Sequence, residues 1–191
     1  MAALMGLSRV IDALNEAIGR WIGWLVLVAV LVCASNALVR YSLHISSNAW
    51  LELQWYLFAA IFLLGTGYTL KRDEHVRIDV VTGRFSTRTQ AWIDVGGLCL
   101  LLLPISLVIV WFATPYAWEA WVSGEKSSNA GGLVRWPARL LIVAGFVLLI
   151  LQAVSELIKR IAYLRGCLPA AAFGRSGQPP AAGVTSSPPQ P

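Results

Sequence analysis

Few residues in this sequence have the types and spacings that catalysis or metal binding requires. The two histidines, His44 and His75, fall in separate polar segments between apolar stretches and do not form the axial pair that a membrane haem needs. The three cysteines contain no C-x-x-C pair and no spacing typical of zinc; they are Cys33, Cys99 and Cys167. No phosphate-binding glycine loop and no nucleophile beside a base is recognisable. The sequence therefore predicts no catalytic residue, no metal site and no cofactor.

Ionisable side chains are also absent from the middle of the long apolar stretches, where a proton path or an ion site would need them. The neutral polar residues inside these stretches are expected to form hydrogen bonds between helices; they are Ser35, Asn36, Thr66, Ser106 and Gln152. Two pairs of glycines, Gly65 with Gly67 and Gly96 with Gly97, are interpreted as positions where helices approach closely.

Three local clusters of residues remain, and the first surrounds Glu52 at the start of the second apolar stretch. Glu52, Trp55 and Ala59 are spaced three and four apart, so they share one face of a helix. A carboxylate beside tryptophans at a membrane surface could meet a cation on another helix, and simple interfacial anchoring is the alternative. We hypothesise that Glu52 faces a partner protein and not lipid.

The second cluster is the loop of residues 67–81, in which acids and bases alternate over a few positions. The alternation indicates a folded, salt-bridged turn or a docking surface, and a solvated charged loop is the alternative. The residues singled out in it are Arg72, His75, Arg77 and Asp79. The third cluster lies in residues 118–137, where glycines permit a tight turn and Arg135-Trp136-Pro137 sets the entry of the last helix.

The composition indicates which class of protein and which secondary structure carry these clusters. Of the 191 residues, 57% are hydrophobic and only 13% are charged, whereas an ordinary soluble domain has about 25% charged residues and leaves a wide polar surface. The composition therefore excludes a typical cytosolic enzyme and predicts an all-α integral membrane protein. The net charge of +5 does not indicate nucleic-acid binding, because Lys and Arg lie at the ends of apolar stretches.

Four apolar stretches are long enough for transmembrane helices, which need about 20 residues each. The predicted spans are about 21–40, 49–70, 92–118 and 137–160, within a four-helix transmembrane domain of residues 21–163. Pro104 and Pro115 lie in the third span, and either can kink it. Ser86 or Thr87 is expected to cap this helix, with Gln90 completing a capping box.

The segments on either side of this domain have different patterns. In residues 1–20, apolar residues recur every three or four positions opposite polar ones, which predicts an amphipathic N-terminal helix lying in the membrane interface. A plain extension of the first span is the alternative. Residues 164–191 are rich in Pro, Ala, Gly and Ser and lack periodicity, which predicts a disordered tail.

The orientation follows from the distribution of the 15 Lys and Arg residues. Most of them lie before the first span, between the second and third, or after the fourth. Because cytoplasmic segments carry the excess of positive charge, both termini are predicted to be cytoplasmic.

In order and spacing, these clusters resemble the small membrane subunit of tripartite ATP-independent periplasmic (TRAP) transporters, the DctQ-like family. The resemblance covers about residues 10–163. It is carried by the acidic start of the second helix, by residues 62–79 and by Arg135-Trp136-Pro137. The sequence His-Val-Arg-Ile-Asp at residues 75–79 is its most specific part, and the tail from Leu168 onward matches nothing in the family pattern.

The resemblance implies a non-catalytic subunit of the bacterial inner membrane that scaffolds a large permease during sodium-driven uptake of an organic acid. The implied partners are the large permease, a periplasmic substrate-binding protein and membrane lipid, without nucleic acid. It favours docking roles for the three clusters, and Arg135-Trp136-Pro137 loosely resembles members linked to monocarboxylates and 2-oxo acids. A four-helix assembly protein of another complex and a membrane enzyme with an unrecognised site remain open as alternatives.

Overall fold

The computed structural model describes residues 2–44, 47–72 and 85–166. Four long helices account for most of them: α1 (Ala2–Leu43), α2 (Asn48–Arg72), α3 (Thr87–Ser123) and α4 (Trp136–Leu164). Each helix is long and apolar enough to cross a membrane. The described ranges contain no strand beyond an isolated bridge between Lys126 and Val134, so the predicted all-α fold with four spanning helices is confirmed.

Helix α1 continues without a break from Ala2 to Leu43, and its 42 residues extend about 63 Å. A separate interfacial helix would require a turn near residue 20, and α1 has none there. The N-terminal segment is therefore a helical extension of the first span, which was the alternative to a separate helix. The amphipathic pattern is nevertheless present. Its polar side packs against α2 and α4, while Leu7, Val10 and Leu14 on the other side are exposed.

Helix α4 is the central helix, because it packs against each of the other three. It runs parallel to α2 and antiparallel to α1 and α3, as the contacts along each pair show. The closest approach to α2 is at Gly145, where an added Cβ atom would lie 2.6 Å from the backbone oxygen of Leu63. One turn further along, an added Cβ on Gly67 would lie 3.3 Å from the backbone oxygen of Leu148 and would also overlap the Asn15 side chain.

Of the glycines interpreted as packing positions, Gly67 therefore lies at a tight helix contact. An added Cβ on Gly65 would make only an ordinary contact, at 3.5 Å from Ile22. Gly96 and Gly97 have no neighbour within 4 Å in the described part of the chain. Gly145, where the nearest atoms belong to the backbone of α2, was not singled out from the sequence.

Helix α3 changes its hydrogen-bonding pattern in front of Pro104. A π-helical segment, Leu98–Leu102, joins the α-helical segments Thr87–Gly97 and Leu103–Ser123, and the amide of Leu103 donates to the carbonyl of Leu98. Pro104 has no N–H and would crowd the carbonyl four residues earlier in a regular α-helix. The wider π turn relieves this conflict. The second proline, Pro115, lies inside the helix.

Local signals set the ends of α3 and α4. The Ser86 hydroxyl accepts the amide hydrogen of Thr89 at 3.2 Å, so Ser86 is the cap, and the Gln90 side chain donates to the carbonyl of Phe85 instead of completing a capping box. At the other end of α3, Gly124 has a positive φ of 61°, which suits glycine at a helix C-terminus. Pro137 lies in the first turn of α4 as predicted.

We predict that Gly145→Ala destabilises the bundle, because the new methyl group meets backbone atoms of α2 that cannot rotate away. Overpacking of this kind costs about 1–3 kcal/mol, and the better helix propensity of alanine offsets only part of it. Thermal unfolding in detergent should show a lower Tm. The matched control is Gly96→Ala, which meets no described neighbour and should leave Tm unchanged or slightly raised; equal Tm values for both variants would contradict the prediction.

Candidate functional site: two polar clusters

The polar side chains of the described helices collect at the two ends of the bundle. We call one group the Asp12 cluster; its members are Ser8, Asp12, Asn15, Asp94, Gln152, Ser155, Glu156, Lys159 and Arg160. We call the other the Glu52 cluster; its members are Glu52, Ser127, Asn129 and the backbone amide of Leu133. We call the two ends of the bundle the Asp12 end and the Glu52 end.

Asp12 connects α1 to three residues of α4. Its carboxylate accepts hydrogen bonds from Gln152 Nε2 at 2.9 Å and Ser155 Oγ at 2.8 Å. It also pairs with Lys159 Nζ at 2.7 Å. Because these donors lie on successive turns of α4, a single carboxylate fixes the register between the two helices.

From Lys159 the charges alternate along α4 and on to α3. Lys159 Nζ also lies 2.9 Å from Glu156, and Glu156 accepts from the guanidinium of Arg160. Arg160 Nε in turn lies 3.2 Å from Asp94 on α3. Glu156 and Arg160 are both buried, where an unpaired charge would be costly. The alternation gives each buried charge a partner of opposite sign.

Neutral hydrogen bonds extend the cluster along the contact between α1 and α4. The hydroxyls of Ser8 and Ser155 are 2.7 Å apart, and Asn15 Nδ2 donates to Gln152 Oε1 at 2.8 Å. Asn15 and Gln152 are fully buried, at 0% exposure. This agrees with the expectation that Gln152 forms hydrogen bonds between helices.

Helix α2 joins the same end of the bundle through its last turn. Lys71 Nζ lies 2.7 Å from Glu16 and donates to the backbone oxygen of Asp12 at 3.1 Å. Arg72, one of the residues singled out from the sequence, lies 3.4 Å from Glu16 and 5.2 Å from the centre of the Tyr68 ring. All four helices therefore contribute polar groups at the Asp12 end.

The Asp12 cluster was missed from the sequence because its α1 residues were interpreted as the water-facing side of an interfacial helix. The signal that would have found it is a matching stripe on α4. Polar residues recur there at spacings of three and four: Gln152, Ser155, Glu156 and Lys159. Two polar stripes on helices that both continue into apolar spans indicate that the stripes face each other.

At the opposite end, Glu52 is buried, at 5% exposure, although it lies in the first turns of α2. Its carboxylate accepts from the hydroxyl of Ser127, from Asn129 Nδ2 at 3.0 Å and from the backbone amide of Leu133 at 2.7 Å. These donors belong to the loop between α3 and α4. Glu52 thus binds a loop of its own chain, and no cation meets it within ion-pair distance among the described residues.

The loop that Glu52 holds is a narrow turn. The amide of Ser127 donates to Leu133 O and that of Arg135 to Glu125 O, each at 2.9 Å. An added Cβ on Gly132 would lie 2.9 Å from Glu52 Oε1, so the carboxylate occupies the space that a side chain would take. The absence of a side chain at this position allows the loop to close over Glu52.

Arginines fix the start of α4 beside this loop. Arg135 and Arg139 both pair with Glu125, at 3.1 and 2.7 Å. Arg139 also donates to the Tyr116 carbonyl at 3.1 Å and stacks 3.7 Å from the centre of its ring. Trp136 packs edge-on against Trp121 with 4.5 Å between ring centres. Arg135-Trp136-Pro137 therefore anchors α4 to α3 and to the loop between them.

Of the remaining residues singled out from the sequence, Trp55 lies beside the Glu52 cluster. Its side chain is 66% exposed and lines a cavity of about 300 Å³ together with Glu52, Ser127 and Asn129. His75, Arg77 and Asp79 lie outside the described residues.

Comparison with known proteins gives one match. The family model for the DctQ component of tripartite ATP-independent periplasmic transporters matches residues 28–162. No curated protein and no solved structure gives a significant match. The matched region contains the whole Glu52 cluster and the α3 and α4 parts of the Asp12 cluster, but it begins after Ser8, Asp12 and Asn15.

We predict that Asp12→Asn destabilises the bundle by on the order of 2 kcal/mol, a value between those of exposed and fully buried ion pairs. The substitution keeps the shape of the side chain but removes the charge opposite Lys159. Chemical or thermal unfolding in detergent measures the effect. Glu119→Gln, on an exposed residue of α3, is the control and should change stability by no more than about 0.5 kcal/mol. Indistinguishable stabilities of the two variants would show that Asp12 does not hold the helices together.

We also predict that Glu52→Gln loosens the loop between α3 and α4. Both carboxylate oxygens of Glu52 accept hydrogen bonds from this loop, and the substitution replaces one of them with an NH₂ group, which can only donate. Hydrogen exchange of the Leu133 amide should become faster by on the order of tenfold. Lys126→Gln, on an exposed side chain of the same loop, should leave the exchange rate unchanged. An unaltered rate in Glu52→Gln would contradict the prediction.

Proposed function

The chain belongs to the DctQ family and is thus a small membrane subunit of a TRAP transporter, and on this premise we propose that it is a non-catalytic scaffold for the large permease. In this function the large permease moves an organic acid into the cell with a sodium gradient as the driving force. A periplasmic binding protein delivers the acid. The small subunit braces the large one within the inner membrane.

The observation that carries the proposal is the separation of the two polar clusters by an apolar middle. No Asp, Glu, Lys or Arg lies between Glu52 and Lys71 on α2, or between Arg139 and Glu156 on α4. The same holds for residues 95–118 of α3 and 21–39 of α1. A proton or ion path across the membrane requires polar groups at this depth. The carboxylates that lie at the ends are instead bound within the chain: Asp12 by Gln152, Ser155 and Lys159, and Glu52 by the loop between α3 and α4.

The outer surface of the bundle also supports a bracing role. Large apolar side chains are exposed along α1 and α3, among them Leu31, Leu38, Leu101 and Phe112. Such a surface suits lipid and the helices of another membrane protein. The interior contacts that hold the four helices together do not depend on it.

The orientation proposed for the subunit places both termini in the cytoplasm, as the distribution of Lys and Arg predicts. The Asp12 end then faces the cytoplasm and the Glu52 end faces the periplasm. His75, Arg77 and Asp79 belong in this arrangement to a cytoplasmic loop that docks on the large permease. The loop fixed by Glu52 belongs to the side on which the binding protein arrives.

Reconstitution into proteoliposomes tests the proposal. We expect no uptake by this chain alone, because it lacks charged groups at mid-depth, and sodium-dependent uptake when a cognate large permease and binding protein are added. The large permease with the binding protein but without this chain should give little or no uptake. A sodium ionophore is the control for the driving force. Uptake by this polypeptide without a partner would refute the proposal.

A further inference from the structure

A cavity with polar walls lies at the Glu52 end, between the last turns of α1 and the first turns of α2. Its volume is about 440 Å³, within the range of about 300–1,000 Å³ that is usual for small-molecule sites. On the α1 side it is lined by Asn36, Arg40, Tyr41 and His44, and on the α2 side by Gln54. The α1 residues recur every three or four positions and therefore share one face of the helix.

Arg40 gives this cavity a positive charge that the described residues do not neutralise. Arg40 forms no ion pair within the described ranges, whereas Arg135 and Arg139 at the same end both pair with Glu125. No Asp or Glu is among the described residues that line the cavity. The nearby carboxylate of Glu52 is held by the loop between α3 and α4. The cavity therefore suits an anion, and a guanidinium group is well matched to phosphate.

Two amide side chains line the same cavity and are also without partners. Asn36 and Gln54 are both half-buried, and neither forms a hydrogen bond to any residue that the structure describes. Asn36 was expected to form hydrogen bonds between helices. It lies four residues before Arg40 in α1, or about 6 Å further into the membrane, where water no longer satisfies a polar group. Each amide can donate to a carbonyl oxygen, so the cavity also requires an acceptor below the anion.

The order of these groups with depth matches the order of groups in a phospholipid. Arg40 lies nearest the membrane surface, Asn36 lies below it, and Cys33 lies about 4.5 Å deeper still and behaves as a small apolar residue. A phospholipid presents its phosphate, its ester carbonyls and its acyl chains in the same order. We propose that this cavity binds the headgroup of an anionic phospholipid, with the phosphate on Arg40 and the ester carbonyls on Asn36 and Gln54. The inference requires the four spanning helices but not the scaffold function.

Phosphatidylglycerol fits the cavity better than phosphatidylethanolamine does. The ammonium group of phosphatidylethanolamine carries a positive charge, and the described lining offers it Arg40 but no carboxylate. The glycerol headgroup instead carries hydroxyls, which can form hydrogen bonds with the Tyr41 hydroxyl and the His44 imidazole. A free phosphate ion would satisfy Arg40 but would leave both amide side chains without an acceptor.

Native mass spectrometry of the full chain in detergent tests the choice of ligand. When phosphatidylglycerol and phosphatidylethanolamine with identical acyl chains are offered at equal concentration, the fraction of chain carrying phosphatidylglycerol should be larger by on the order of fivefold. Inorganic phosphate at the same concentration should not displace the lipid. Equal occupancy by the two lipids, as expected for unselective lipid around the bundle, would overturn the inference. Displacement by inorganic phosphate would also overturn it, because a free anion would then be the ligand.

Substitutions in the cavity test the location. Arg40→Gln, on an exposed side chain, should lower the fraction carrying phosphatidylglycerol by on the order of tenfold and abolish the preference over phosphatidylethanolamine. Lys126→Gln removes the same charge at the same end but outside the cavity, so this matched control should keep the wild-type preference.

A second variant, Asn36→Leu, tests the amide separately from the charge. It should weaken the binding of both lipids alike, because both carry ester carbonyls. Thermal unfolding of each lipid-free variant shows whether it folds. An equal preference for phosphatidylglycerol in folded Arg40→Gln and Lys126→Gln would overturn the site, and unchanged lipid binding by folded Asn36→Leu would overturn the role of the amide.

Discussion

Hydrocarbon offers no hydrogen bonds, so a polar group on a membrane helix has to find its partner within protein. This constraint accounts for the arrangement of the described chain. Charged side chains are confined to the end segments of the four helices, and those of the two clusters are engaged with charges or dipoles of another helix or of the loop between α3 and α4.

The two clusters fix the bundle in complementary ways. At the Glu52 end a carboxylate holds a loop, and the loop in turn positions the first turn of α4. At the Asp12 end a carboxylate holds helix against helix directly. Leucines such as Leu102, Leu103 and Leu149 pack in the core between the helices, and Gly145 allows α2 and α4 to approach backbone to backbone. The bundle thus has polar contacts at both ends and an apolar middle.

The sequence predicted four helices able to cross a membrane, because length and hydropathy decide which segments can do so. It did not predict the partners of Glu52, since Ser127 and the amide of Leu133 are 75 and 81 residues away, and nothing local marks them. The polar residues of α1 look the same whether they face water or another helix. Only the matching stripe on α4 separates the two possibilities. The predictions for His75, Arg77 and Asp79 concern residues outside the described ranges and stay predictions.

The partners of Asp12 have a consequence for how the protein is made. All three side chains that bind its carboxylate belong to α4, the last helix to leave the ribosome, whereas Asp12 belongs to the first. During synthesis the polar side of α1 has to remain at the membrane surface or with a chaperone until more than a hundred further residues have been added. The contact between α1 and α4 therefore forms only after α4 has been made, and a chain truncated before α4 lacks all three side chains that bind the Asp12 carboxylate.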